Sequence, residues 1–192
     1  MKDFVVEGLN EAGLSAGLFY FPHYGNYPVY DAKQNTRTVA DLQLVAWMLS
    51  QFSTIEEIKA AMQDIRVVSV DTTGASSTVH WRIGDANGRQ VVLEFVDGVP
   101  CFYENEIGVL TNSPGFPWQM TNLNNYVNLY PGGAEAHQLG GVTIFPFGAG
   151  SGFQGIPGDV TPPSRFVRAA FYKATAPQCA TAYDAVLQSF HI

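Results

Sequence analysis

Residues 78–103 read TVHWRIGDANGRQVVLEFVDGVPCFY, and their pattern decides the fold class. Val79, Trp81 and Ile83 alternate with His80 and Arg82, the period of two that marks a strand. Asp85-Ala86-Asn87-Gly88 is turn chemistry, and Gln90 to Val96 resumes as a second strand. Asp97-Gly98 is a two-residue hairpin signal, and Val99 to Tyr103 returns from it. Ile107 to Thr111 predicts one more short strand. The product is an antiparallel meander, one face of which needs a cover. His80, on a strand face, is expected to be partly exposed.

Upstream, Asp3 to Glu7 reads as a strand, Gly8 to Gly13 as a turn, and Leu14 to Phe21 as a second strand. His23 to Arg37 is rich in Tyr, Pro, Asn and Gly, a long aromatic loop that suits the rim of a pocket. Thr38 is the expected N-cap of a helix with Asp41 in its first turn, followed by Val39, Leu42, Val45, Ala46 and Leu49 at helical spacing. A second helix is expected from Ser53, with Glu56 completing a capping box and Ile55, Ile58, Ala61, Met62 and Ile65 on the buried face. Downstream, Trp118 to Val127 reads as helix and Tyr130 to Gly141 as a Gly-rich loop. Pro163-Ser164 opens a helix through Phe166, Val167, Ala170 and Phe171, and a final helix is expected from Ala180 to Phe190. Helices flanking antiparallel strands give an α+β class, read here as a single domain over residues 1–192.

Composition narrows the function. Ten Lys plus Arg against 17 Asp plus Glu leave a net charge of −7. That argues against a nucleic-acid partner, which needs a basic face to neutralise phosphates. Only 14% of residues are charged, so part of the surface is expected to be covered by more chain or by a homo-oligomer. No apolar run approaches the ~20 residues of a membrane span. The start, Met1-Lys2-Asp3-Phe4, lacks the layout of a signal peptide, so no compartment is assigned. Cys101 and Cys179 form no Cys-x-x-Cys pair and are expected to be buried apolar residues.

The chemistry-bearing motifs are sparse. Gly150-Ser151-Gly152-Phe153-Gln154-Gly155 matches G-x-G-x-x-G, but Pro157, Pro162 and Pro163 stop a helix from starting at once. A plain Gly-rich loop is the preferred reading, and no cofactor is expected. His23, His80, His137 and His191 never fall at metal-ligand spacing, so no metal is expected. Glu56-Glu57 reads as a solvated helix face. Asn112 ends an apolar stretch in Thr111-Asn112-Ser113-Pro114; it either starts a turn or offers an N–H to an oxyanion. Arg165 sits at the first turn of an apolar helix, either solvated or placed to orient a carboxylate or stabilise a thiolate.

Several segments together resemble the choloylglycine hydrolase family, which holds bile salt hydrolases and penicillin V acylases. Asn10-Glu11-Ala12-Gly13-Leu14 resembles its N-E-x-G-L turn, Tyr20-Phe21-Pro22 the loop after it, and His80-Trp81-Arg82-Ile83-Gly84-Asp85 its central hairpin strand. Thr111-Asn112-Ser113-Pro114, Asn122-Leu123, Asn125-Tyr126, Gly155-Ile156-Pro157-Gly158-Asp159 and Pro163-Ser164-Arg165-Phe166 follow in family order. The resemblance implies an incomplete αββα sandwich of the N-terminal-nucleophile hydrolase type, antiparallel sheets between helix layers. It implies cleavage of a linear amide by an N-terminal Cys whose own α-amine is the base. An α-amine titrates near neutrality and a thiolate is a strong nucleophile, so that chemistry is sound. Asn112 then matches an oxyanion-hole Asn, Tyr20 the residue whose backbone N–H completes the hole, and Arg165 the Arg beside the nucleophile. Tyr20 leans toward penicillin V acylases.

The family's first residues, with the Cys, an Arg and an Asp, have no counterpart here: the chain runs Met1-Lys2-Asp3 and has no Cys before Cys101. Three expectations follow. The 192 residues are the central portion of such a hydrolase and inactive alone; or they form a non-catalytic scaffold that binds amphipathic acids or self-assembles; or they are one piece of a two-chain hydrolase. The expected partner is a small-molecule amide or its acid product.

Overall fold

The computed structural model describes residues 4–71 and 78–191. Two compact units emerge, Met1–Trp118 and Gln119–Ile192.

The first unit is built on a five-stranded antiparallel sheet in the order β1-β2-β5-β6-β7. Its strands are β1 (Glu7–Leu9), β2 (Ser15–Tyr20), β5 (Val79–Gly84), β6 (Gln90–Val96) and β7 (Val99–Glu104). The meander forms where the alternation places it. Asp97 and Gly98 take φ values of 51° and 78°, the left-handed pair that a tight β6–β7 turn requires. β1 lies later than the expected strand, whose first residue, Asp3, is outside the described residues. The Asn10 side chain accepts from the Ala12 and Leu14 N–H groups, and this turn pairs Glu7 with Gly17 and Leu9 with Ser15.

One sheet face is the core. Ala16, Trp81, Ile83, Val91 and Leu93 lie there, fully buried with Leu44, Val45, Met48, Ile55 and Ile58. These last five come from α1 (Leu44–Gln51) and α2 (Ile55–Ala61). The helices therefore provide the cover that the meander needs. Their starts differ from expectation. Thr38 is no N-cap: residues Thr38–Ala40 form β3, which pairs in parallel with β4 (Arg66–Val68). The Thr38 hydroxyl instead donates to Gln34 O, closing a 3-10 helix at Ala32–Arg37 inside the expected loop. Among the described residues, no side chain caps the 3-10 turn Asp41–Gln43 or α1; Asp41 instead ties the turn to the segment after β4. Buried at the end of β3, it accepts from Leu42 N at 2.8 Å and Val70 N at 3.0 Å. The capping box of α2 is one residue later than expected, on Thr54 and Glu57, because Glu57 Oε2 reaches both Ser53 N and Thr54 N.

Residues 107–111 form no strand. Asn105 captures them locally, donating to Val109 O and accepting from Gly108 N, so their backbone never reaches the edge of the sheet. Both cysteines are half-buried, not buried. Cys101 lies on β7, opposite Glu94, and the residue before it on the same strand, Pro100, cannot donate to the ladder.

The second unit contains most of α3 (Phe116–Asn122) and the 3-10 turn Leu123–Tyr126, as expected. The region read as a Gly-rich loop holds a hairpin, β8 (His137–Leu139) with β9 (Val142–Ile144), joined through Gly140 at φ 58°. The glycines hid it because they supply its turn. The G-x-G-x-x-G segment makes only a 3-10 turn at Ser151–Phe153. α4 (Pro162–Thr175) starts with Pro in its first turn, where the missing N–H costs nothing. α5 (Ala182–Ser189) starts two residues later than expected because the Thr181 hydroxyl accepts from Asp184 N.

Candidate active site

β2 delivers Tyr20 to the end of the sheet. Phe21 N donates to Thr78 O, so the Phe21–Thr78 position is hydrogen-bonded and the Tyr20–Val79 position, one residue earlier, is not. Val79 confirms the phase: its N–H and C=O both meet the Tyr27 hydroxyl, at 2.9 Å each. The N–H and C=O of Tyr20 therefore share the opposite side of β2. Asn112 Nδ2 lies there and donates to Tyr20 O at 2.7 Å. The two residues that sequence reading singled out in this unit are thus brought together across 92 positions of chain. A side-chain amide nitrogen carries two hydrogens, and the bond to Tyr20 fixes the direction of the second. Next to it, the Ser113 hydroxyl donates to Pro22 O at 2.8 Å, a second strap between the same two segments.

Arg165 belongs to the second unit and is placed by a local lock. Asp159 accepts from the Ser164 hydroxyl at 2.6 Å and from Thr161 N at 2.8 Å. The Ser164 hydroxyl, then that of Thr161, hold its carboxyl down to about 2. Arg168 ties the same loop through Pro157 O at 2.8 Å and Asp159 O at 2.6 Å. With the loop pinned, Val160 O receives Arg165 Nε at 3.1 Å, which anchors the guanidinium at that nitrogen. The Pro-Gly-Asp and Ser-Arg-Phe segments are therefore one structural unit.

Sequence reading missed one polar feature. His80 is fully buried, because β5 is a central strand with both faces covered, and Glu94 is 2% exposed. His80 Nδ1 meets Glu94 Oε1 at 2.9 Å, and Nε2 meets Thr111 O at 3.1 Å. A register count would have found the pair. Gly84 opposes Gln90 and Trp81 opposes Leu93, and one step further sets His80 opposite Glu94.

The aromatic loop lines a cavity of about 790 Å³, with Tyr24, Tyr27, Tyr30 and Thr78 among its walls. The second unit has a cleft of about 480 Å³ edged by Glu135, His137, Phe145 and Phe147. Among the described residues no group of three His, Cys, Asp or Glu side chains could hold a metal, and no helix is long and apolar enough to cross a membrane.

Known proteins resemble the chain over most of its length. The profile for linear amide C–N hydrolases of the choloylglycine hydrolase family matches residues 2–192. A bile salt hydrolase/transferase of Clostridium perfringens is 37% identical over 169 residues, covering 87% of this chain and 51% of that protein. A penicillin V acylase of Pectobacterium atrosepticum is 28% identical, covering 86% of this chain and 40% of its own. The crystal structure of a conjugated bile acid hydrolase variant from Clostridium perfringens superimposes with a TM-score of 0.84 at 32% identity, covering 96% of this chain and 58% of that one. The chain spans about half the length of the curated relatives it matches. Its α+β fold is that of the N-terminal-nucleophile hydrolases, in part.

Proposed function

The chain belongs to the choloylglycine hydrolase family of linear amide C–N hydrolases, and from that premise we propose that its 192 residues carry the charge-stabilising part of an amide hydrolase of the bile salt or penicillin V type. The observation that carries the reading is the bond from Asn112 Nδ2 to Tyr20 O. When a thiolate adds to an amide carbonyl, a C–S bond forms and the carbonyl oxygen becomes an oxyanion. Two N–H groups fixed in advance at that oxygen lower the barrier most, because they need no reorganisation as charge develops. In this reading the Asn112 side-chain amide and the Tyr20 backbone N–H are those donors. Arg165 orients or stabilises the thiolate. Collapse of the adduct breaks the C–N bond, and the proton taken from the thiol passes through the nucleophile's α-amine to the departing amine. Water then hydrolyses the thioester to the acid.

The nucleophile is not among these residues. Cys101 lies within β7 and Cys179 precedes α5, and neither has a free α-amine. The chain alone is therefore inactive in this reading. The exposed hairpin residues Leu139, Val142 and Ile144, with Phe145 and Phe147, support self-association. A second reading, a non-catalytic scaffold for amphipathic acids, draws on the aromatic walls of the 790 Å³ cavity.

The test is intact mass and N-terminal sequencing of the protein from its source, with turnover of glycine- and taurine-conjugated bile salts and penicillin V. An N-terminal Cys with turnover in that sample, and none from the isolated 192 residues, is the expected result. A source protein that binds bile acids without turnover moves the reading to the scaffold. Turnover by the isolated chain at the rate of the source protein defeats the proposed division of labour.

A further inference from the structure

A buried polar pair is costly to hold, and an apolar pair of equal volume would pack as well or better. The His80–Glu94 pair therefore needs a reason, and its contacts supply one. Thr111 O can only accept, so His80 Nε2 carries a hydrogen and points it at the residue before Asn112. The imidazole stacks on Phe21 at 4.2 Å with 7° between planes and meets Phe19 edge-on at 6.2 Å. Phe19 and Phe21 flank Tyr20. One ring thus touches both neighbours of Tyr20 and the preceding neighbour of Asn112.

Glu94 fixes the ring in turn. Its Oε1 faces His80 Nδ1 at 2.9 Å and accepts from Phe116 N at 2.8 Å, at the start of α3. Gly115 lets the backbone come close: a Cβ there would stand 3.0 Å from Glu94 Oε2. The segment carrying Asn112 is therefore held at Thr111 by the histidine and at Phe116 by the glutamate.

We propose that His80 and Glu94 are positioning residues that set the spacing and direction of Asn112 against Tyr20. The positioning stands on geometry alone; its catalytic consequence rests on the hydrolase reading above. Hydrogen bonds are directional where apolar packing is not, which is why a polar pair serves here. An error of ~1 Å at such a donor costs about a hundredfold in rate.

The experiment has two arms. In the 192-residue chain, hydrogen exchange of the Asn112 side-chain amide is followed by NMR. His80→Leu is expected to speed it about five- to tenfold, the weight of one lost hydrogen bond. His80→Gln, whose amide can still reach Thr111 O, is expected to hold it within about twofold. Unchanged exchange in folded His80→Leu overturns the proposal. Should that variant not fold, Glu94→Gln decides. One amide oxygen cannot serve Phe116 N and a neutral Nδ1 acceptor together, so exchange must again rise, and a folded variant without that rise overturns the proposal. In the source-length protein, His80→Leu is expected to lower kcat at least about tenfold with KM little changed, and His80→Gln to recover most of it. A merely structural role would reduce the folded fraction and leave kcat per folded molecule intact, which overturns the proposal. If the unaltered source protein has no turnover, the hydrolase reading fails while the exchange arm still decides the positioning.

Discussion

The β5–β6 pair of the first unit and the β8–β9 hairpin of the second are both short antiparallel structures rich in apolar residues, and they meet opposite fates. Trp81, Ile83, Val91 and Leu93 are fully buried, whereas Leu139 and Val142 are 66% and 65% exposed. Propensity does not separate them. What separates them is company: β5 and β6 are inner strands of a five-stranded sheet with two helices over one face, while β8 and β9, among the described residues, pair only with each other. A two-stranded hairpin is marginal by itself and needs something to lie against. The two units also treat their aspartates differently. Asp41 is buried and its carboxyl is pushed up by loss of water, while exposed Asp159 is held down by the hydroxyls of Ser164 and Thr161.

The first way to break the contrast is Trp81→Ala. Trp81 is fully buried and meets the Tyr27 and Phe95 rings at 6.3 and 5.9 Å. Removing it should cost about 3–5 kcal/mol in urea unfolding, enough to unfold a marginal unit. A loss below about 1 kcal/mol would mean that the sheet core is not what holds the first unit together.

A matched pair of caps sharpens it. Thr54 and Thr181 make the same side-chain bond to the backbone three residues on. Thr54→Ala should lower global stability by about 1 kcal/mol, since α2 buries Ile55 and Ile58 in the core. Thr181→Ala should leave the global midpoint in place and raise amide exchange in α5 alone, which has no buried residue. A global shift with Thr181→Ala would show α5 to be part of a cooperative core.

The aspartates give opposite signs with pH. Folded Asp41 keeps its proton above the ordinary 3.8, so stability falls as pH rises from 3.8 through its raised value. Asp41→Asn, which keeps an acceptor oxygen, should remove that fall. Asp159 works the other way: its contribution is full above 3.8 and is lost as pH drops toward about 2. Ser164→Ala should move the Asp159 titration upward in carbon-detected NMR, because that hydroxyl is its largest support. An unmoved titration would assign the support to Thr161.

The smallest expected effect on folding is at the hairpin. Val142→Ser should change stability by no more than about 0.5 kcal/mol. It should reduce self-association in sedimentation if the exposed face is what associates. Equal sedimentation of both proteins would place association elsewhere.

The meander was legible because alternation and an Asp-Gly turn are local signals. Asp97 and Gly98 need positive φ whatever surrounds them. Asn112 and Arg165 were legible only as odd residues at element ends, with two readings each. The resemblance to a family sharpened them, and the structure added the Asn112–Tyr20 contact. Thr38 and His80 were misjudged because their states depend on partners far along the chain, and Ile107 because a nearby side chain, Asn105, takes up the backbone that follows it. Thr38–Ala40 is a strand because Arg66–Val68 lies beside it, and 107–111 is not one because Asn105 reaches it first.

The sequence by itself determined the periods and the turns, since each depends on residues within a few positions of one another, and also the acidic balance and the order of the motifs, which need no contact to be read. Only the tertiary structure decided which face of the sheet is dry, that His80 and Glu94 are a buried pair, and that Tyr20 and Asn112 meet. Those outcomes follow from strand order and from desolvation, and a polar side chain is indifferent to both until the chain closes around it.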